Sequence, residues 1–236
     1  MAIARSAVGA GGGKLVPPVL GALLDLLVPP TCLVCGVPAR DLCAACRRGL
    51  PWLGERTCPR CALPAPCGAR CPAAGAAFDA AWAPLAHDGP ARELVSALKF
   101  RGRLSAVDVM AGHMAAGVGR HPGVLVAVPA HPSRRRGRGF DQAQELADAL
   151  GSRTGRPVAR ALRREGAATR QVGLSRGQRA AAGRLRFSVR GTPPAVVVLV
   201  DDVHTTGATL DACALTLKEA GTTSVAAVSY VRALSP

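Results

Sequence analysis

The stretch Val196-Val197-Val198-Leu199-Val200-Asp201-Asp202-Val203-His204-Thr205-Thr206-Gly207-Ala208-Thr209-Leu210 decides the fold. Its apolar run 196–200 shows no polar alternation, as expected for a strand covered on both faces in a parallel α/β sheet. The run stops at two adjacent acids, and the Thr-Thr-Gly-Ala-Thr turn that follows leads into a helical pattern of Leu210, Cys213, Ala214 and Leu217. Free backbone N–H groups at the helix start and the Thr hydroxyls converge where a phosphate fits. Paired acids beside such a cradle suit ribose hydroxyls, a Mg²⁺ ion, or both.

These residues resemble the phosphoribosyl pyrophosphate (PRPP) loop of type I phosphoribosyltransferases. The resemblance implies that Asp201 and Asp202 hold the ribose 2′- and 3′-hydroxyls. It gives Thr205, Thr206, Gly207, Ala208 and Thr209 the 5′-phosphate. A plain strand-to-helix turn capped by Thr206 would account for the Thr but not for the two acids together.

Eight of the nine cysteines lie between Cys32 and Cys71, spaced as Cys32-x-x-Cys35, Cys43-x-x-Cys46, Cys58-x-x-Cys61 and Cys67-x-x-x-Cys71. Gly36, Pro59, Gly68 and Pro72 adjoin several of them, and such tight turns let both thiolates of a pair face one tetrahedral Zn²⁺. Sequential pairing gives one site from Cys32, Cys35, Cys43 and Cys46 and another from Cys58, Cys61, Cys67 and Cys71; interleaved pairing is the alternative. All eight ligands are Cys, with no position left for water, which is the pattern of a structural site. Disulfides would need an oxidising compartment. The N-terminus gives no export signal, because its apolar part, 15–28, is broken by Pro17, Pro18 and Asp25. Residues 19–28 read as a short amphipathic helix, below the ~20 residues of a membrane span. Cys213 stands apart as a small buried residue.

A chain of 236 residues holds one ordinary domain and a small metal-dependent one. The expected division is a leader over 1–30, a double zinc ribbon over 31–75 and an α/β domain over 76–236. The net charge is +15, and between Arg134 and Arg190 fifteen Arg face only four acids. That segment suits nucleic acid or a multiply phosphorylated small molecule. With one Tyr, two Trp and four Phe, stacking platforms for single strands are scarce.

Within the α/β domain, 78–87 reads as a first strand. Gly89–Arg101 reads as a helix with Ala91, Leu94, Val95 and Leu98 on its core face, leaving Lys99, Arg101 and Arg103 near a Gly102 turn, as a solvated helix end or, in the alternative, facing a ligand. A helix over 104–117 and a strand over 124–128 follow. The segment 129–143 reads as an Arg- and Gly-rich loop beyond a strand end, where ligands gather in open parallel sheets; Asp141 there reads as the cap of a helix over 142–150. Strands near 159–162 and 185–189 bracket a polar stretch, 169–179, that reads as a mobile lid.

In order along the chain, 23–30, the cysteine knuckles, Leu98-Lys99-Phe100-Arg101-Gly102, Arg138-Gly139-Phe140-Asp141-Gln142, Gln171-x-Gly173-Leu174-Ser175-x-x-x-Arg179 and the acid-rich turn resemble the ComF family. Asp141 departs from the usual Asn, which weighs against direct phosphate contact there. The resemblance implies an α/β fold of the type I phosphoribosyltransferase kind, with a mainly parallel sheet and flanking helices, behind a small double zinc ribbon with four cysteines per site. It implies two structural Zn²⁺ ions, PRPP bound with Mg²⁺, and pyrophosphate held by Arg138. It further implies a cytoplasmic, unanchored protein tied to DNA uptake, with single-stranded DNA and a DNA-uptake helicase as candidate partners. It names no reaction. Purine phosphoribosyltransferases place an Asp base where Thr205 stands, and Thr is a poor base at neutral pH. His204 is a substitute only if it faces the site. Two readings stay open: transfer of ribosyl-5-phosphate to an unknown acceptor, or a non-catalytic module that senses PRPP or binds single-stranded DNA.

Overall fold

The computed structural model describes residues 29–64, 67–165 and 186–234, apart from the Arg134 side chain. Residues 1–28 of the leader and the 169–179 segment lie outside the described residues.

Six parallel strands form the central sheet. They are β1 (Ala80–Trp82), β2 (Leu85–Ala86), β3 (Val124–Ala127), β4 (Val158–Ala159), β7 (Val196–His204) and β8 (Ser224–Arg232), in the order β1, β8, β7, β3, β4, with β2 continuing β1 along the same edge of β8. Pro84 has no N–H to give to the ladder, and the edge strand breaks there into two short pieces. The single strand expected over 78–87 is thus two. A separate antiparallel ribbon joins β5 (Leu162–Arg164) to β6 (Phe187–Val189).

Helices cover both faces, as a two-sided apolar strand such as 197–200 requires. On one face α2 (Gly89–Arg101), α3 (Ser105–Arg120) and α5 (Gln142–Thr154) bury Leu94, Leu98, Met110, Met114, Leu146 and Leu150. On the other, α6 (Ala208–Glu219) buries Leu210, Cys213, Ala214 and Leu217. Gly102, left-handed at φ 60°, ends α2 where a Cβ would be strained. Gly117 lets α3 approach the sheet edge, since a Cβ there would fall 1.9 Å from the Trp82 ring.

The cysteine-rich segment, which includes α1 (Ala44–Arg48), straddles the β1/β2 edge. Trp52 forms a bridge to Leu85, and the Leu53 N–H donates to the Pro84 carbonyl at 3.0 Å, so the edge backbone is covered. Cys32, Leu33, Leu42 and Leu50 join the core of the α2/α3/α5 face, whereas Cys58, Cys61, Ala62 and Ala73 join that of the α6 face. One knuckle therefore packs on each side of the sheet.

Candidate functional site

β7 carries the two acids beyond the apolar run and remains paired to β8 as far as His204↔Arg232, four residues further than the apolar pattern suggests. Asp201 and Asp202 line a cavity of about 590 Å³ at the carboxyl ends of β3 and β7. Lys99 from α2 reaches in to Asp202 Oδ2 at 2.8 Å, and Asp201 Oδ1 accepts the Asp202 backbone N–H at 2.8 Å. Among the described residues the other two carboxylate oxygens have no protein partner and are free for a ligand. Desolvation, then the neighbouring Asp202 charge, pushes the Asp201 acid up to about 8. A carboxyl with so strong a hold on its proton gains most when a cation or hydroxyl donors arrive.

Thr205 and Thr209 line the same cavity; Thr206, Gly207 and Ala208 belong to the turn but do not reach its wall. The Thr206 hydroxyl accepts the Ala208 N–H at 3.3 Å. Gly207 is the left-handed cap of α6 at φ 85°, and a Cβ on it would stand 3.0 Å from His204 Nε2. His204 is 2 % exposed and meets Phe78 edge-on at 6.1 Å, so it supports the turn from beneath and does not line the cavity. Burial, then the nearby Arg232, lowers its pKa to about 4, which keeps the ring neutral. No general base faces the cavity at Thr205 or His204.

The turn is held from below by Arg232, the last residue of β8, which is 4 % exposed. Its guanidinium donates to the carbonyls of His204 at 3.0 Å, Ala233 at 2.6 Å and Thr205, while Nε donates to the Cys61 carbonyl at 2.7 Å. One buried cation thus joins the second cysteine knuckle to the turn.

Arg138 lines the cavity too, its guanidinium 5.5 Å from the ring of Phe100. It ends a short helix, α4 (Pro132–Arg138), where the sequence suggests only loop. Pro132 at the first helical turn and Gly139 at φ 80° explain both ends. Asp141 does precede α5, but its side chain makes no capping bond. Oδ2 instead accepts the Ala130 N–H at 3.2 Å and Oδ1 is enclosed without a partner among the described residues, which corrects the capping role.

The cysteines assemble sequentially, as Cys32, Cys35, Cys43, Cys46 and as Cys58, Cys61, Cys67, Cys71, with each set of Sγ atoms within 4.8 Å of one another. Separations of 3.7 Å (Cys35 to Cys43), 3.8 Å (Cys58 to Cys71) and 3.4 Å (Cys61 to Cys67) lie far from a disulfide. They approach the edge of a tetrahedron of four sulfurs around zinc with bonds of about 2.3 Å. Burial opposes ionisation of Cys32, but backbone N–H groups of Cys35, Cys43 and Val34 outweigh it and bring the thiol down to about 6. Both four-cysteine sets fit zinc-ribbon centres. Cys213 is fully buried in the α6 core.

Two contributors lie outside the site residues expected from the sequence. Lys99 belongs to a polar stripe with Arg92 and Ser96, spaced i, i+4 and i+7 beside the apolar stripe, and all three line the cavity. That periodicity is the signal that favours the ligand-facing alternative for Lys99 and corrects its solvated-end reading. Arg232 gives no such signal, because strand-end arginines are ordinary surface residues in most chains.

Residues 23–75 match the family model of the Double zinc ribbon domain. No curated protein matches the chain. A solved structure described as the allosteric regulatory enzyme of purine biosynthesis is similar at 23% identity with a TM-score of 0.37. That likeness covers 52% of this chain and 25% of the enzyme's, so the chain spans about a quarter of that enzyme's length. Among the described residues no helix is long and apolar enough to cross a membrane.

Proposed function

We propose that the chain is a ComF-like phosphoribosyltransferase-type protein that binds PRPP with Mg²⁺ in the Asp201/Asp202 cavity and transfers ribosyl-5-phosphate to an acceptor. One observation carries this reading: the paired acids follow the apolar run of a buried parallel strand and line a cavity whose rim also holds Thr205, Thr209 and Arg138. Asp201 and Asp202 take the ribose hydroxyls, the turn from Thr205 to Thr209 takes the 5′-phosphate with Thr206, Gly207 and Ala208 shaping it, and Arg138 takes pyrophosphate. Bound Mg²⁺ would neutralise pyrophosphate charge as it departs. Lys99 holds Asp202 in position and shields the acid pair until ligand binds. Zn²⁺ at the two four-cysteine sets is structural.

A cytoplasmic location suits eight cysteines gathered as thiols rather than disulfides. A role in DNA uptake, with single-stranded DNA or a helicase as partner, rests on the family resemblance and the basic charge.

Calorimetric titration of the zinc-loaded protein with PRPP tests the proposal. Mg²⁺-dependent binding, abolished in Asp201→Asn/Asp202→Asn, is the expected result. A folded, zinc-loaded native protein that takes up no PRPP with Mg²⁺ present overturns it.

A further inference from the structure

A second cavity, of about 560 Å³, adjoins the first and shares Pro129, Ala130, Asp141 and Arg164 with it. The backbone builds its charge. The β5–β6 ribbon pairs Leu162 with Val189, and the Arg190 N–H donates to the Ala161 carbonyl at 2.8 Å, which brings Arg163, Arg164 and Arg190 to one patch. Arg135 from α4 and Arg160 complete five guanidinium groups around one hollow. Among the described residues only Arg160 of these forms an ion pair, an exposed contact of 3.8 Å with Asp148.

Five arginines call for phosphate oxygens, which their planar forks bind in pairs. Phosphate alone leaves a mismatch. Asp141 stands in the wall between the cavities with Oδ1 enclosed and, among the described residues, unpartnered, and Glu145 lines the second cavity as well. An enclosed acceptor is costly until a donor meets it. The volume is that of a small-molecule site, not of an extended surface.

We propose that the second cavity is the acceptor subsite and takes a small phosphorylated molecule that also carries an N–H or O–H donor. Its phosphate lies among Arg163, Arg164 and Arg190, and its donor meets Asp141, facing the ribose held at Asp201 and Asp202. This rests on the PRPP reading of the first cavity for the word acceptor, though the anion subsite itself does not.

The full-length, zinc-loaded protein is titrated by calorimetry with tripolyphosphate and with glucosamine 6-phosphate. Arg163→Ala/Arg190→Ala weakens both by about tenfold or more, whereas Arg48→Ala/Arg120→Ala, an equal loss of charge outside the cavity, leaves both within about twofold. Asp141→Asn keeps an oxygen for the Ala130 N–H and weakens only the amino sugar phosphate. Asp201→Asn removes PRPP binding and spares both probes. Equal weakening by the two arginine pairs reduces the effect to net charge and overturns the subsite. Loss of the probes in Asp201→Asn makes the two cavities one site and likewise overturns it. Indifference of glucosamine 6-phosphate to Asp141→Asn overturns the donor. Native protein that binds the probes through Arg163 and Arg190 but never binds PRPP overturns the proposed transfer while the anion subsite stands.

Discussion

The two cysteine knuckles are near copies in spacing and turn, yet they do different work. The first closes around Cys32 and Cys35 with Gly36 left-handed at φ 78°, packs on the α2/α3/α5 face and ends in exposed Cys35. The second closes around Cys58 and Cys61 with Ala62 left-handed at φ 58°, packs on the α6 face and gives its Cys61 carbonyl to Arg232. Among the described residues only the second is wired to the turn that follows Asp201 and Asp202. Metal binding at one end of that guanidinium and ligand binding at the other therefore share a scaffold, which makes the second knuckle part of the site.

The largest expected effect breaks that wire. Arg232→Ala leaves the carbonyls of Cys61, Thr205 and Ala233 without their donor and takes one of two from that of His204, and unfolding by denaturant should show a loss of about 3–5 kcal/mol. Arg232→Lys should recover part of it, since one ammonium cannot serve the whole fork.

The next comparison swaps the turn residues. Gly36→Ala forces a Cβ into left-handed backbone in open space and should cost about 1 kcal/mol by the same assay. Ala62→Gly relieves a similar strain but removes a fully buried methyl worth about 0.8 kcal/mol, so it should be close to neutral. A cost as large as that of Gly36→Ala would show that the second knuckle depends on packing more than on backbone geometry.

A separate set of signals comes from pH. Asp201 has its acid raised from 3.8 to about 8 in the folded chain, so the folded state holds an extra proton between those values and stability falls as pH rises through that window. Mg²⁺ with PRPP should expel that proton, seen near pH 7 as a calorimetric enthalpy that changes with buffer ionisation heat; Asp201→Asn should abolish the dependence. His204 acts in the opposite sense. With a folded pKa lowered from 6.5 to about 4, its contribution is intact above 6.5 and is lost as pH falls towards 4. Melting curves at stepped pH separate the two.

Local patterns carried most of the fold. The unbroken run at 196–200, the i, i+3, i+4, i+7 stripe of Ala91, Leu94, Val95 and Leu98, and the cysteine spacings are short-range consequences of burial and of metal geometry, and each is legible as sequence. The site depended on longer reach. Pairing with β8 carries β7 on to His204, which no hydrophobic pattern records. Asp141 caps by position alone, because its carboxyl is drawn to the Ala130 N–H. Arg232 finds Cys61 across 171 positions of chain, and the placement of the knuckles on opposite faces follows from a sheet edge that only the assembled fold supplies.

Amide hydrogen exchange across the turn from Thr205 to Thr209 tests most directly that the second knuckle is part of the site, comparing Cys67→Ser, which disables the second knuckle, with Cys35→Ser, which disables the first. Faster exchange in the turn is expected for Cys67→Ser, with native protection for Cys35→Ser. Equal exchange in the two variants, whether both fast or both slow, would contradict it.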